Sequence, residues 1–321
     1  MNTDLKNKVI LIADGTTPVG KAAAELLLAE GAKPVCCVPT AKAAADANAD
    51  STDSAYGTVP ADSAYVTDNA SSTSDLIPVD FTSEEDLRAL VDRILADERY
   101  GRLEGLFYNM IPDVVRKRVS DLSVEDVDGM IDRDITAAFA AAKVIGCHLM
   151  TLEESTPMVF LGSIHDEKPT GIAPLFSMYM GALRNLIREG GIFFGSGSVR
   201  LNLIEAGALG GEDELFRNDI STFYDGYEYK IPDGHVGTPE EIAKISLFLL
   251  SDESRYVHGE AIRADGGRVL HYIDAIANIY AHRRTDDTKK DAAEEADART
   301  NRRSQSRMPA PAAHTDTQQQ E

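Results

Sequence analysis

Strand-length apolar runs alternate with helix-length amphipathic segments along most of this chain, and few folds accept that order. Val9-Ile10-Leu11-Ile12 reads as a buried strand. Residues 19–30 read as a helix with Leu26, Leu27 and Leu28 on its apolar face and Gly31 as its stop. Further strands are expected at 35–38, 76–79, 106–108, 158–161, 199–204 and 261–264. Further helices are expected at 84–96, 124–150, 178–189 and 239–250, the last capped by Thr238. Such alternation predicts a parallel sheet covered on both faces, and right-handed crossovers make it an α/β doubly wound Rossmann fold.

The 321 residues would suggest two domains on length alone. Two segments lower that to one. Residues 41–75 are rich in Ala, Ser, Thr and Asp, carry Lys42 as their single base, and repeat Asp-Ser-Ala-Tyr at Asp53 and Asp62. They read as a low-complexity insertion. Residues 285–321 are polar and end in Gln318-Gln319-Gln320-Glu321, which predicts a disordered tail. The expected organisation is one domain over 1–270, an extra helix at 271–284 with Tyr272, Ile273, Ile276, Ile279 and Tyr280 near one face, then the tail.

Charge excludes some partners. With 53 acidic and 32 basic residues the chain carries −21, which argues against nucleic acid and against an anionic membrane surface. No apolar run is long enough for a membrane helix, and the polar start, Met1 to Lys8, reads as lacking a signal peptide. Cys36, Cys37 and Cys147 have no metal-binding or disulfide spacing, which fits a reducing cytoplasm; no metal site is expected.

Specific motifs add a resemblance. The strand at Val9 runs into Gly15-x-x-x-x-Gly20 and a helix; Tyr100-Gly101-Arg102-Leu103-Glu104-Gly105-Leu106 leads to Asn109; and Gly237-Thr238-Pro239-Glu240-Glu241-Ile242-Ala243 is followed by Phe248-Leu249-Leu250-Ser251-Asp252, Gly259-Glu260 and Asp265-Gly266-Gly267. Over about residues 8–270 the chain resembles a classical short-chain dehydrogenase/reductase. The resemblance implies a single Rossmann domain with about seven parallel strands. It also implies hydride transfer between NAD(P) and a carbonyl or alcohol. In that chemistry a Tyr donates the proton, a Lys one helical turn later lowers the Tyr pKa, a Ser orients the carbonyl oxygen and an Asn ties the Lys to water.

Matched position by position, Ser163 fills the serine role, but Phe176 stands at the Tyr position, Met180 at the Lys position and Asp134 at the Asn position. A one-turn slip would make Tyr179 the acid, but its turn-later neighbour is Leu183, and no lysine lies between Lys168 and Lys230. Arg184 or Arg188 would be the substitute cation, a poor mimic of an ammonium. His165 and Asp166 follow Ser163 too closely for triad geometry and read as a polar loop.

In the matching cofactor region Gly15, Gly20, Asp80 and Asn109 remain. Asp14 and Pro18 replace two turn glycines, which predicts a carboxylate facing any phosphate and a missing backbone donor. The expectation is a non-catalytic subunit or binding partner of an active family member, with no cofactor. The competing reading is an NAD(P)-dependent oxidoreductase with a rearranged site using Ser163 and Tyr179. The resemblance implies a homo-oligomer or a hetero-oligomer with an active relative. Pairing would run through helices at 136–150 and 178–189, offering Phe139, Val144, Ile145, Leu149, Leu183, Leu186 and Ile187.

Overall fold

The computed structural model describes residues 3–40, 76–169, 171–210 and 231–270. The insertion at 41–75, the helix at 271–284 and the tail at 285–321 lie outside the described residues.

The strands are β1 (Val9–Ile12), β2 (Lys33–Pro39), β3 (Ile77–Val79), β4 (Gly105–Tyr108), β5 (Thr156–Ser163), β6 (Val199–Ala206) and β7 (Ala261–Ala264). The helices are α1 (Pro18–Ala29), α2 (Glu84–Ala96), α3 (Val124–Met130), α4 (Thr136–Leu149), α5 (Pro174–Gly195) and α6 (Pro239–Leu250). Among the described residues all seven strands pair in parallel in the order β3-β2-β1-β4-β5-β6-β7. The expected doubly wound sheet is therefore present. Its order reverses between β1 and β4, so the crevice beyond their carboxyl ends is where such a sheet places a ligand.

Period-two alternation sends successive residues to opposite faces. Val9 and Leu11 of β1 join Leu87, Ile94, Ile145 and Ile187 under α2, α4 and α5. Ile10 and Ile12 join Ala23, Leu27, Ile242 and Leu249 under α1 and α6. The helix starts follow local chemistry. Ser83 caps α2 by accepting from the Asp86 N–H, and Thr238 and Glu241 form a reciprocal capping box on α6. Gly31, at φ 77°, takes the left-handed turn that ends α1.

The structure corrects three element readings. The stretch read as one helix over 124–150 is α3 and α4 joined by a π turn at Ile131–Ile135. One wide turn changes the helical phase without ending the helix, so hydrophobic spacing hides it. Helix α5 extends well beyond 178–189 at both ends. It begins with Pro174 in its first turn and passes straight through Gly190 and Gly191. A Cβ on Gly190 would lie 2.7 Å from Leu201 Cδ2, and one on Gly191 3.3 Å from the Gly259 Cα. These glycines admit close neighbours rather than stop the helix. Strands β5 and β6 also outrun their expected ranges, and β6 runs on through the buried Glu205.

Two ties matter below. Arg200 Nη1 donates to Leu249 O at 3.1 Å and to Ser254 O and Oγ at 3.2 and 2.9 Å, while its Nη2 donates to Ser251 O at 3.0 Å. At the sheet edge, β2 and β3 pair Cys37 with Ile77 and Pro39 with Val79, and Thr40 N donates to Val79 O at 2.8 Å.

Candidate functional site

The carboxyl ends of β1, β4 and β5 carry most of the residues singled out by sequence. After β1 the chain turns through Asp14-Gly15-Thr16-Thr17 into α1. Asp14 is 6% exposed, and its Oδ1 accepts from Thr16 N at 2.9 Å and Thr16 Oγ1 at 2.5 Å. That carboxylate is folded back as the acceptor of its own turn. This corrects the expectation that it points at a phosphate. Pro18 begins the helix, where a missing N–H costs little, and Thr17 Oγ1 caps the Gly20 N–H at 3.0 Å. A Cβ on Gly20 would lie 2.0 Å from Asp14 O, so close backbone approach requires glycine there. Gly15 sits against Cys36, whose Cβ would be 2.6 Å from an added Cβ.

Asn109, just beyond β4, clasps this turn. Its Oδ1 accepts from Asp14 N at 2.9 Å, and its Nδ2 donates to Asp14 O at 2.7 Å and Thr17 Oγ1 at 2.8 Å. Asp80, beyond β3, repeats the Asp14 arrangement: its Oδ1 accepts from Thr82 N at 3.0 Å and Thr82 Oγ1 at 2.6 Å. Gly15, Gly20, Asp80 and Asn109, named from sequence as a cofactor set, thus all make architectural contacts within the chain.

The row at β5 and α5 is different. Phe176 and Met180 are 5% and 1% exposed and belong to the core. Met180 Sδ accepts from Ser163 N at 3.2 Å. Tyr179 is 1% exposed, its hydroxyl paired with that of Tyr108, whose ring stacks on Phe160 with centroids 4.9 Å apart. Burial, reinforced by the Asp134 charge, pushes the Tyr179 pKa well up. At 1% exposure and within the core, Tyr179 packs with the apolar residues of α5. Asp134, in the π turn, bonds to the Arg133 guanidinium at 3.1–3.2 Å, and burial raises its pKa.

Ser163 is the half-buried member of the row. Its Oγ lies 2.7 Å from His165 Nδ1. His165 presents a ring edge to Phe176, with centroids 5.2 Å apart at 82°. Burial, with a smaller push from Arg268, lowers the His165 pKa below its ordinary value, and Asp166 opposes this. The polar loop expected after Ser163 is a single 3₁₀ turn over Ile164–Asp166. It turns Ile164 into the core and His165 toward Ser163. Asp166 goes to Arg184, so Ser163, His165 and Asp166 do not form a triad.

Sequence reasoning missed a second cluster. Arg184 Nη1 reaches Asp166 Oδ2 at 2.5 Å, Glu167 Oε1 at 2.7 Å and Glu205 Oε1 at 3.3 Å, and Arg263 pairs with Glu167 from β7. Arg184 is therefore engaged by three acids, which corrects its reading as a substitute for the missing lysine. Glu205 is 1% exposed, and burial beside Asp166 raises its carboxyl to about 7. These three acids place carboxylate oxygens within 4.8 Å of one another. The cation that gathers them is a side chain of the chain itself. The one available signal was a Glu directly following the apolar pair Leu203-Ile204.

A family model described as "Enoyl-(Acyl carrier protein) reductase" matches residues 15–268. Among curated proteins, the chain is 26% identical over 195 residues to "Glucose 1-dehydrogenase 2" of Bacillus subtilis (strain 168), covering 61% of this chain and 74% of that one. It is 27% identical over 269 residues to "2,5-dichloro-2,5-cyclohexadiene-1,4-diol dehydrogenase" of Sphingobium indicum, covering 83% and 98%. Among solved structures, the "Short-chain dehydrogenase/reductase from Serratia marcescens BCRC 10948" superposes with a TM-score of 0.63 at 23% identity, over 83% of this chain and 99% of that one. The ligand-free aldohexose dehydrogenase of Thermoplasma acidophilum gives 0.65 at 20% identity, over 85% and 98%. At these identities the two structures share the fold alone. Among the described residues, no helix is long and apolar enough to cross a membrane.

Proposed function

The chain belongs to the short-chain dehydrogenase/reductase family, and within that family of oxidoreductases we propose that it is a non-catalytic subunit or binding partner of an active relative. The observation that carries this reading is the packing at the proton-transfer positions: Phe176 and Met180 are buried, and the Met180 sulfur takes the Ser163 N–H. A thioether carries no proton to relay and no charge to stabilise a phenolate.

The dinucleotide turn supports the same reading. Pro18 has no N–H, the Gly20 N–H is capped by Thr17, and the Asp14 carboxylate sits in the turn. A pyrophosphate needs open backbone donors there, and these residues do not fit NAD(P) held in the usual way. The exposed apolar side chains of α4 and α5, Phe139, Met178, Ile192 and Phe193, favour a partner chain. Val144, Ile145, Leu149, Leu183 and Ile187 are buried within this chain and Leu186 is half-buried, so Phe139 is the open member of the set expected from sequence.

Titration with NAD(H) and NADP(H) during thermal unfolding tests the proposal. A ligand at a hundredfold excess over its Kd stabilises by about 2.7 kcal/mol, an easily read shift in Tm. The expected result is no shift with any of the four. The double variant Phe176→Tyr with Met180→Lys is expected to show no cofactor-dependent turnover. A clear shift in the native chain, or turnover in the variant, would overturn the reading.

A further inference from the structure

The Ser163–His165 contact is used by no part of the proposal above. Ser163 ends β5 and is half-buried, so its Oγ leaves from a fixed strand position. His165 is held from both sides by the turn it sits in. Ile164 before it is 5% exposed in the core, and Asp166 after it is anchored to Arg184 at 2.5 Å. Lys168 N and Glu167 N both close the turn onto Ile164 O, at 2.8 and 3.2 Å. The imidazole edge rests on Phe176. A histidine so fixed, 2.7 Å from a serine hydroxyl, has the geometry of a general base on a nucleophile.

We propose that Ser163 and His165 form a nucleophile–base pair that takes an acyl group from a carboxylic ester and hands it to water. Ser163 Oγ attacks the ester carbonyl carbon while its proton passes to His165 Nδ1. The tetrahedral intermediate collapses, the ester C–O bond breaks, and the leaving alkoxide takes that proton as alcohol. Water, deprotonated by the same nitrogen, attacks the acyl-serine. The acyl C–Oγ bond breaks, the carboxylic acid leaves and Ser163 regains its proton. The net change is ester plus water to acid plus alcohol, with no redox partner. The charged groups acting on the imidazole are Arg268, which disfavours its protonation, and Asp166, which favours it. Burial outweighs both and favours the neutral base.

The test is covalent labelling of the full chain with an alkyl fluorophosphonate, located by peptide mass mapping, beside hydrolysis of p-nitrophenyl acetate. The expected adduct is on Ser163, absent in Ser163→Ala, and formed at least tenfold more slowly in His165→Gln. The native labelling rate is expected to rise with pH through one ionisation below about 6.5, and His165→Gln to lose that rise. Circular dichroism confirms that each variant is folded, and His165→Asn replaces any that is not. No adduct on Ser163 in the folded native chain, or equal rates with and without His165, would overturn the proposal. The reading under Proposed function is non-catalytic for hydride transfer, which Ser163 and His165 do not perform here, and the dinucleotide titration reads neither residue, so the two proposals fail separately.

Discussion

The turn after β1 and the row on β5 and α5 lie along the same carboxyl edge of the sheet, yet they are built from opposite materials. At the turn, buried polar groups answer one another: Asn109 makes three hydrogen bonds to Asp14 and Thr17, and the Asp14 and Asp80 carboxylates each accept two bonds from a threonine two residues on. In the row, the positions that would carry a proton and a positive charge hold a phenyl ring and a thioether. A residue that closes a turn and one that serves a reaction can look alike in a motif. They differ in whether their polar atoms have valence left for a ligand. The turn keeps a family shape with the Asp14 carboxylate, the Gly20 N–H and the Asn109 amide engaged internally, while at the row the Ser163 hydroxyl meets the His165 imidazole.

If the polar ties are architecture, cutting them should cost more than restoring chemistry to the row gains. Arg200→Ala should be the most damaging change, because it strands carbonyls of the segment after α6 in a buried site. The expected loss is about 3–5 kcal/mol in urea unfolding with the slope unchanged. A loss below about 1 kcal/mol would mean that water replaces the guanidinium.

Met180→Lys places an ammonium where a 1%-exposed sulfur sits. A loss of roughly 3 kcal/mol at pH 7 is expected, shrinking at higher pH as the buried amine gives up its proton. A pH-independent loss would point to shape rather than charge. Asn109→Ala should cost about 2–3 kcal/mol through the unmet Asp14 N–H and C=O groups. No measurable loss would show that the turn holds its form without the clasp.

The smallest expected effect is a change of slope. Glu205 keeps a proton in the fold up to about pH 7, whereas the unfolded chain releases it near the ordinary value of 4.5. Between those limits the folded state binds more protons, so this group makes stability fall as pH rises. His165, with its lowered pKa, contributes the opposite slope near its own range. Glu205→Gln removes the first effect and keeps the second, so Tm of the variant should gain on the native chain from pH 4.5 to 7. Parallel Tm profiles would refute this.

Local pattern made much of the fold legible. The bounds of α2, α6 and β7 follow from apolar spacing, a capping residue and turn signals that lie within a few residues of one another. The substitutions at 176 and 180 were legible too, because two motif anchors agreed on their register. What escaped depends on contacts between distant segments. Gly190-Gly191 looks like a helix end until Leu201 and Gly259 are placed against it. Asp14 looks like a charge aimed outward until Thr16 bends back to it. Glu205 reads as a strand-end polar residue until α5 delivers Arg184, and Ser163 meets His165 through the shape of one short turn.

The edge pairing of β2 with β3 has a consequence for how this chain can change its length. Strand β3 is three residues long, so Pro39, where β2 ends, and Ile77, where β3 begins, are one strand over and two residues down, about 8 Å apart. Ladder bonds and the Thr40–Val79 contact hold both ends in place. Closing a loop between two fixed neighbouring points adds only about 0.6 kcal/mol for each doubling of its length. This corner of the sheet is therefore a port: segments can be lengthened, shortened or exchanged there at little thermodynamic expense. A whole foreign domain whose own termini lie about 8 Å apart could be spliced in with the seven-stranded scaffold left undisturbed.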